Sequence, residues 1–255
     1  QGDWSSDVCS SDLFAGPNGS GKSTIKEVLP LEWLGVYLNP DEIEKAIRKD
    51  GCLELAAFEV SATQDELQDF LRHSTLLAKA GLRAQAEQLH LAESKVDFGS
   101  VAVNSYFASV LSDFMRHKLL ETKTSFTFET VMSSPDKVAF LQKAQQQGFR
   151  TYLYYVATED PEINISRVRY RVETGGHPVP EDRIVSRYRR SLALLPRAVA
   201  FSDRAYLFDN SGHERVWIAE VTDGEVLEMK TDQMPYWFKT ALWDTFDADE
   251  GTPRV

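Results

Sequence analysis

Cysteine is nearly missing from this chain. Cys9 and Cys52 are the two in 255 residues, so no disulfide framework organises the fold. Long apolar runs are missing as well, and no stretch approaches the length of a membrane span. Basic residues are in deficit: 28 Lys and Arg stand against 39 Asp and Glu, a net charge of −11. Such a surface lacks the basic footprint that tight, non-specific binding to nucleic acid or anionic membrane needs, so neither is expected as a partner. His73, His90, His117, His213 and Cys52 show no metal-ligand spacing. Internal repeats and low-complexity linkers are absent too. What is present is 42% hydrophobic residues with 14 Phe, ample for a core. The length suits one large α/β domain, or one domain with an inserted helical piece.

The most informative stretch is Gly16-Pro17-Asn18-Gly19-Ser20-Gly21-Lys22-Ser23, or GPNGSGKS. It matches the phosphate-cradling pattern G-x-x-x-x-G-K-[ST] without a mismatch. Gly16, Gly19 and Gly21 permit backbone angles that a Cβ forbids, so successive N–H groups can turn inward around a phosphate. Lys22 brings a point charge to the β- and γ-phosphates, and the Ser23 hydroxyl is expected on Mg2+. Pro17, Asn18, Ser20 and Thr24 complete the expected ATP cradle. Apolar Leu13-Phe14-Ala15 leads in, and Thr24 to Leu29 is expected to continue as a helix to Pro30, its positive end toward the anion. The chain is therefore expected to bind a nucleoside triphosphate. An ATP-type loop in a chain so poor in cysteine points to the cytoplasm.

Upstream, residues 3–13 read DWSSDVCSSDL. A buried parallel strand should be rich in Val, Ile and Leu, yet four Ser and three Asp interrupt this one. The segment resembles the in-frame translation of a sequencing-adapter primer, with Leu13 at the junction. On that reading residues 1–13 are an artefact, and the native sequence begins near Phe14. Cys9 then carries no meaning, and without those three Asp the net charge is −8. Part of the central strand would be replaced by polar residues.

Beyond the loop, Gly35 to Asn39 is expected as a short strand, running into a helix from Pro40 with acids in its first turn and Gly51 past its end. Residues 52–122 are expected to form a helical insertion. Thr63-Gln64-Asp65-Glu66 has the capping-box pattern, and Tyr106, Val110, Leu111 and Phe114 fall at helical spacing. Thr124 to Thr130 alternates like a strand, Pro135 to Gly148 has helix start and stop signals, and Arg150 to Ala157 suits a buried strand. Helices are expected over 160–173 and 180–200, and a strand over 205–209. A hairpin is expected around Asp223-Gly224. The main domain is set at residues 14–240, with an acidic tail over 241–255. Strands alternating with helices around a phosphate loop predict an α/β, three-layer P-loop NTPase fold, its mainly parallel sheet covered by helices on both faces.

Phosphoryl transfer needs an acceptor hydroxyl, a base for its proton, and cations on the developing charge. Asp41 follows a short strand, where a doubly wound sheet ends at its ligand crevice. An acid in the first turn of a helix would look the same. Glu129 ends the alternating strand and precedes Thr130; a carboxylate capping the next helix is the alternative. Arg167 and Arg171 are four apart, as are Arg183 and Arg187, with Arg190 further along, so each set lines one helical face. Between them lies TGGHPVP (174–180), whose glycines can hinge. An Arg-bearing, hinged helical pair over 160–200 fits a lid that closes over a triphosphate. A solvated face paired to Glu173, Glu181 and Asp182 is the plainer reading. Asp209-Asn210 could contact a base or act as a Walker B acid.

FAGPNGSGKST, the Asn39-Pro40-Asp41-Glu42-Ile43 run, Phe126 to Val131, DPEINISRVRYRV and GGHPVPEDRI together resemble the zeta-toxin family of P-loop kinases. The five motifs occur in order, from Phe14 to about Trp237. The resemblance implies that Lys22 and Ser23 hold ATP and Mg2+, and that Asp41 is the base. It implies that Glu129, with Thr130, holds a small-molecule hydroxyl acceptor, for which UDP-N-acetylglucosamine, the acceptor of the family's best-understood members, is the expected example. Lid arginines would stabilise the transferring phosphoryl: Arg171 and Arg183 are taken as catalytic, while the choice among Arg167, Arg169, Arg171, Arg183 and Arg187 stays open. An antitoxin protein is an implied partner. The chain departs from well-known toxins at His177, where they carry an arginine.

Three rivals remain. GPNGSGKST is also common in ABC-type ATPases, but their LSGGQ-like signature and apolar strand ending in Asp-Glu do not occur here. A nucleotide-binding interaction module would need no base. A polynucleotide kinase is disfavoured by the acidic charge.

Overall fold

A computed structural model of the protein describes residues 8–176 and 178–246. The chain divides into two compact units, Gln1–Trp33 with Glu129–Val255, and Leu34–Phe128. The fold class is α/β with mainly parallel strands, as the sequence predicts.

In the first unit, β1 (Ser10–Ala15) enters the glycine-rich loop. The helix expected to run on to Pro30 forms as a seven-residue 3₁₀ helix over Lys22–Val28. The cause is local: the Thr24 N–H and Oγ1 both donate to the Gly21 carbonyl, at 3.1 and 2.8 Å, tightening the first turn.

The second unit opens with β2 (Val36–Leu38) and α1 (Pro40–Asp50). Asn39 caps α1, its Oδ1 accepting from the Asp41 and Glu42 N–H groups, and Gly51 ends it at φ 70°. The insertion is not wholly helical. It holds β3 (Cys52–Glu54), α2 (Gln64–His73), α3 (Thr75–Ala80), α4 (Arg83–Ala86), β4 (His90–Ala92), β5 (Lys95–Asp97) and α5 (Ser105–Glu121). β3, β5 and β4 pair antiparallel in that order. These strands escape the sequence because each has three residues, and the β4–β5 turn puts Glu93 and Ser94 at positive φ where Asn or Gly would be the signal. The capping box on α2 is complete: Thr63 Oγ1 accepts from the Glu66 N–H, and Glu66 accepts from the Thr63 N–H at 2.7 Å. Lys118, then Thr63, hold the Glu66 carboxyl down at about 2. β6 (Phe126–Thr130) runs parallel to β2.

The first unit resumes with α6 (Pro135–Gln146), β7 (Arg150–Ala157), α7 (Pro161–Glu173), α8 (Glu181–Ala200), β8 (Arg204–Asp209), β9 (Val216–Thr222) and β10 (Val226–Met229). β1 and β8 flank β7 in parallel, β9 lies antiparallel to β8, and β10 closes the hairpin. Asp223 and Gly224 turn it at φ 52° and 69°. β7 is buried along nearly its whole length, as RTYLYYVA requires, and Tyr155 bonds Ser191 of α8 at 3.0 Å. The chain stays helical past Tyr236: a π-helical turn spans Lys239–Trp243 and buries Leu242, so the expected tail begins later than residue 241. Its acidic residues from Asp247 lie outside the described residues, as does His177.

The polar segment expected to make a poor strand does form one. Ser11 and Asp12 are buried, with Ser11 Oγ and Asp12 Oδ1 lacking hydrogen-bond partners. Burial drives the Asp12 carboxyl up to about 8, against a lowering bond from Ser10.

Candidate active site

The loop sits at the carboxyl end of β1, and its glycines are demanded by what surrounds them. A Cβ on Gly16 would lie 2.0 Å from the Val156 carbonyl oxygen. One on Gly19 would lie 2.7 Å from that of Asn164, and one on Gly21 would lie 2.3 Å from Asn210 Nδ2. All three have positive φ, so a side chain meets both strain and collision. Lys22 Nζ lies over the loop, donating to the carbonyls of Gly16 and Pro17 at 2.9 and 3.0 Å. Ser20 is buried, and its Oγ has no hydrogen-bond partner.

Ser23 Oγ donates to Glu129 Oε2 at 3.4 Å. That contact joins residues 106 apart in sequence, and it brings the loop hydroxyl to the carboxyl end of β6. Glu129 does not cap the next helix, because α6 takes Ser134 as its N-cap residue. Thr130 turns inward on the chain, its Oγ1 accepting from the Met132 N–H at 3.0 Å. Asp41 lies exposed in the first turn of α1, in the second unit.

The basic helices meet the loop through residues other than the two expected. Arg171 and Arg183 are exposed on α7 and α8. Arg187 Nη1 instead approaches Asn18 Oδ1 at 3.4 Å, and Arg167 donates to the Gly212 carbonyl at 3.3 Å. Arg169 and Glu181 form an exposed pair at 2.5 Å, the plainer arrangement for part of this charge. Arg215, which its sequence context does not single out, donates to Thr24 Oγ1 at 2.6 Å. Asp209 is not poised as a Walker B acid: it accepts from Trp237 Nε1, the Ser211 N–H and Ser211 Oγ at 2.8 to 3.0 Å. Asn210 donates to the Ser20 carbonyl at 2.7 Å.

Residues 82–221 match the family model described as Zeta toxin. The chain belongs to the Zeta toxin family. The matched span holds Glu129, α7, α8 and β8 but not the phosphate loop, whose assignment rests on its own residues. An uncharacterized protein of Haemophilus influenzae (strain ATCC 51907 / DSM 11121 / KW20 / Rd) is 23% identical over 176 residues, 69% of this chain and 90% of that protein. Among solved structures, the complex of AvrRxo1-ORF1 with AvrRxo1-ORF2 and sulphate ions is similar at TM-score 0.52 and 15% identity, covering 97% of this chain. The native form of that complex matches at TM-score 0.51 and 15% identity, over 94% of this chain and 63% of that one. The zeta-toxin chain thus spans 66% of the solved chain's length in the first match. At 15% identity that likeness is one of fold. Among the described residues, no helix is long and apolar enough to cross a membrane, and no three His, Cys, Asp or Glu residues converge as metal ligands.

Proposed function

We propose that this zeta-toxin family member is an ATP-dependent small-molecule kinase that transfers the γ-phosphate to a hydroxyl. The observation that carries this is the meeting of the glycine loop, Lys22, Ser23 and Glu129 at the carboxyl ends of strands. The residues fit a triphosphate: the cradle has no room for a Cβ, and the buried Ser20 hydroxyl lacks a partner. Ser23 and Glu129 offer the hard oxygen pair that Mg2+ prefers. Bound there, the ion would neutralise charge on the β- and γ-phosphates.

Lys22 would leave the loop carbonyls for the phosphates, where its charge counts most. Asp41 is the candidate base for the acceptor hydroxyl, with Glu129 and Thr130 beside the acceptor. Arg187 joins Arg171 and Arg183 as a candidate for the phosphoryl, and it is the one already bonded to the loop. The acceptor class extends to sugar nucleotides such as UDP-N-acetylglucosamine, on family resemblance alone. An antitoxin-like partner is proposed because AvrRxo1-ORF1 was solved with AvrRxo1-ORF2. A cytoplasmic location is proposed on the same footing as ATP use.

The test is incubation of the chain with labelled ATP, Mg2+ and a panel of sugar nucleotides and other hydroxyl metabolites. Label on an acceptor supports the kinase, and its loss in Asp41→Asn with ATP binding spared supports the base. Release of free phosphate alone would favour the ATPase reading. Nucleotide binding without turnover would favour an interaction module.

A further inference from the structure

Two asparagines outside the phosphate motif hold its backbone from opposite sides. Asn164 is fully buried on α7, and its Nδ2 donates to the Asn18 carbonyl at 2.6 Å. Its Oδ1 accepts from Thr158 Oγ1, which fixes the amide orientation. Thr158 is held in turn, because Tyr188 of α8 donates to its carbonyl at 2.6 Å. Burial keeps that phenol neutral and able to donate by pushing its pKa up. On the other side, Asn210 follows β8 and donates to the Ser20 carbonyl. The two amides thus capture alternate carbonyls, at positions 18 and 20.

The glycine contacts give an independent sign of the same fit. Gly19 packs on the Asn164 backbone and Gly21 on the Asn210 side chain, so each asparagine occupies the space that a motif glycine leaves. A loop whose carbonyls are held outward has its N–H groups free to converge on an anion. We propose that Asn164 and Asn210 are positioning residues that lock the loop in its phosphate-binding conformation. Asn164 does so from the first lid helix, so α7 and the loop move as one. Asn18 is the joint: its carbonyl is held from α7 and its side chain is approached from α8.

The proposal rests on the phosphate-loop reading, and the test separates the two. Backbone amide exchange over residues 18–21 is measured without nucleotide, and affinity is measured with ATP and Mg2+. The variants are Asn164→Ala, Asn164→Leu, Asn210→Ala, Asn18→Ala and Lys22→Ala. Asn164→Leu restores bulk but supplies no donor. If the hydrogen bond matters, it should match Asn164→Ala, with exchange about tenfold faster in the loop only and ATP affinity about tenfold weaker. Asn210→Ala should do the same, whereas Asn18→Ala, which leaves the carbonyl bond intact, should leave loop exchange close to that of the wild type whatever it does to affinity. Recovery by leucine, or loosening spread evenly over β7 and β8, would overturn the clamp and leave a packing role. If loop exchange responds as stated but neither wild type nor Lys22→Ala binds ATP, the clamp stands and the phosphate reading falls.

Discussion

Two polar stretches lie close together along this chain, and they differ in how their buried groups are partnered. Residues 16–24 are polar, tightly packed and partnered: the carbonyls of Gly16, Pro17, Asn18 and Ser20 all accept from side chains. Ser11 and Asp12 are buried in β1 beside β7, but Ser11 Oγ and Asp12 Oδ1 have no partner. Burying a polar group is cheap when it is hydrogen-bonded and costs several kcal/mol when it is not. The first stretch has partners drawn from α7, β8 and its own lysine. In the second, Ser11 Oγ and Asp12 Oδ1 have none.

The largest effect should come from the unpartnered side. Asp12→Val should stabilise the protein by on the order of 5 kcal/mol near pH 8, read from denaturant unfolding. The sign follows from the raised pKa. Asp12 keeps its proton in the folded state up to about pH 8, whereas 3.8 is its ordinary value. Stability should therefore be full below about pH 4 and decline as pH rises toward 8, and the variant should lose that decline. A flat wild-type profile would place Asp12 in a solvated site and erase the contrast.

On the partnered side, Lys22→Ala should lower ATP turnover by on the order of 10²–10³, assayed as phosphate release or transfer. Unchanged turnover would remove the loop from the chemistry. Arg187→Ala should cost about tenfold in the same assay, while Arg183→Ala, at an exposed position on α8, should cost less than that. The reverse order would mean that a lid position other than this one is the active arrangement. The smallest effect tests the same rule at the surface. Thr63→Ala breaks a satisfied capping box and should cost about 1 kcal/mol of stability by thermal or denaturant melting, with turnover unaffected.

Much of this was legible in the sequence because its causes are local. GPNGSGKS announces itself by residue type, and β7 announces itself by an unbroken apolar run. The hairpin is marked by Asp223-Gly224, and α1 by Asn39, Pro40 and Gly51. The β3-β5-β4 sheet was not legible, since three-residue strands and a Glu93-Ser94 turn carry no periodicity and no turn signature. Nor was the choice among arginines. Helical spacing groups Arg183 with Arg187, but packing of α8 sends one toward Asn18 and leaves the other in solvent. Asp209 looked like a free acid at a strand end, and Trp237 and Ser211, one of them far along the chain, occupy it.

The sequence by itself determined the glycine-rich GPNGSGKS loop, an α/β framework with alternating strands and helices, and two basic helices with Gly175 and Gly176 between them. These follow from backbone freedom, side-chain periodicity and charge, which neighbouring residues set. Tertiary structure alone decided which groups hold the loop, that Glu129 meets Ser23, and that the Ser11 and Asp12 side chains lie buried. Each of those is a contact between residues far apart in sequence, and it exists only where strands and helices from distant segments bring the atoms within bonding distance.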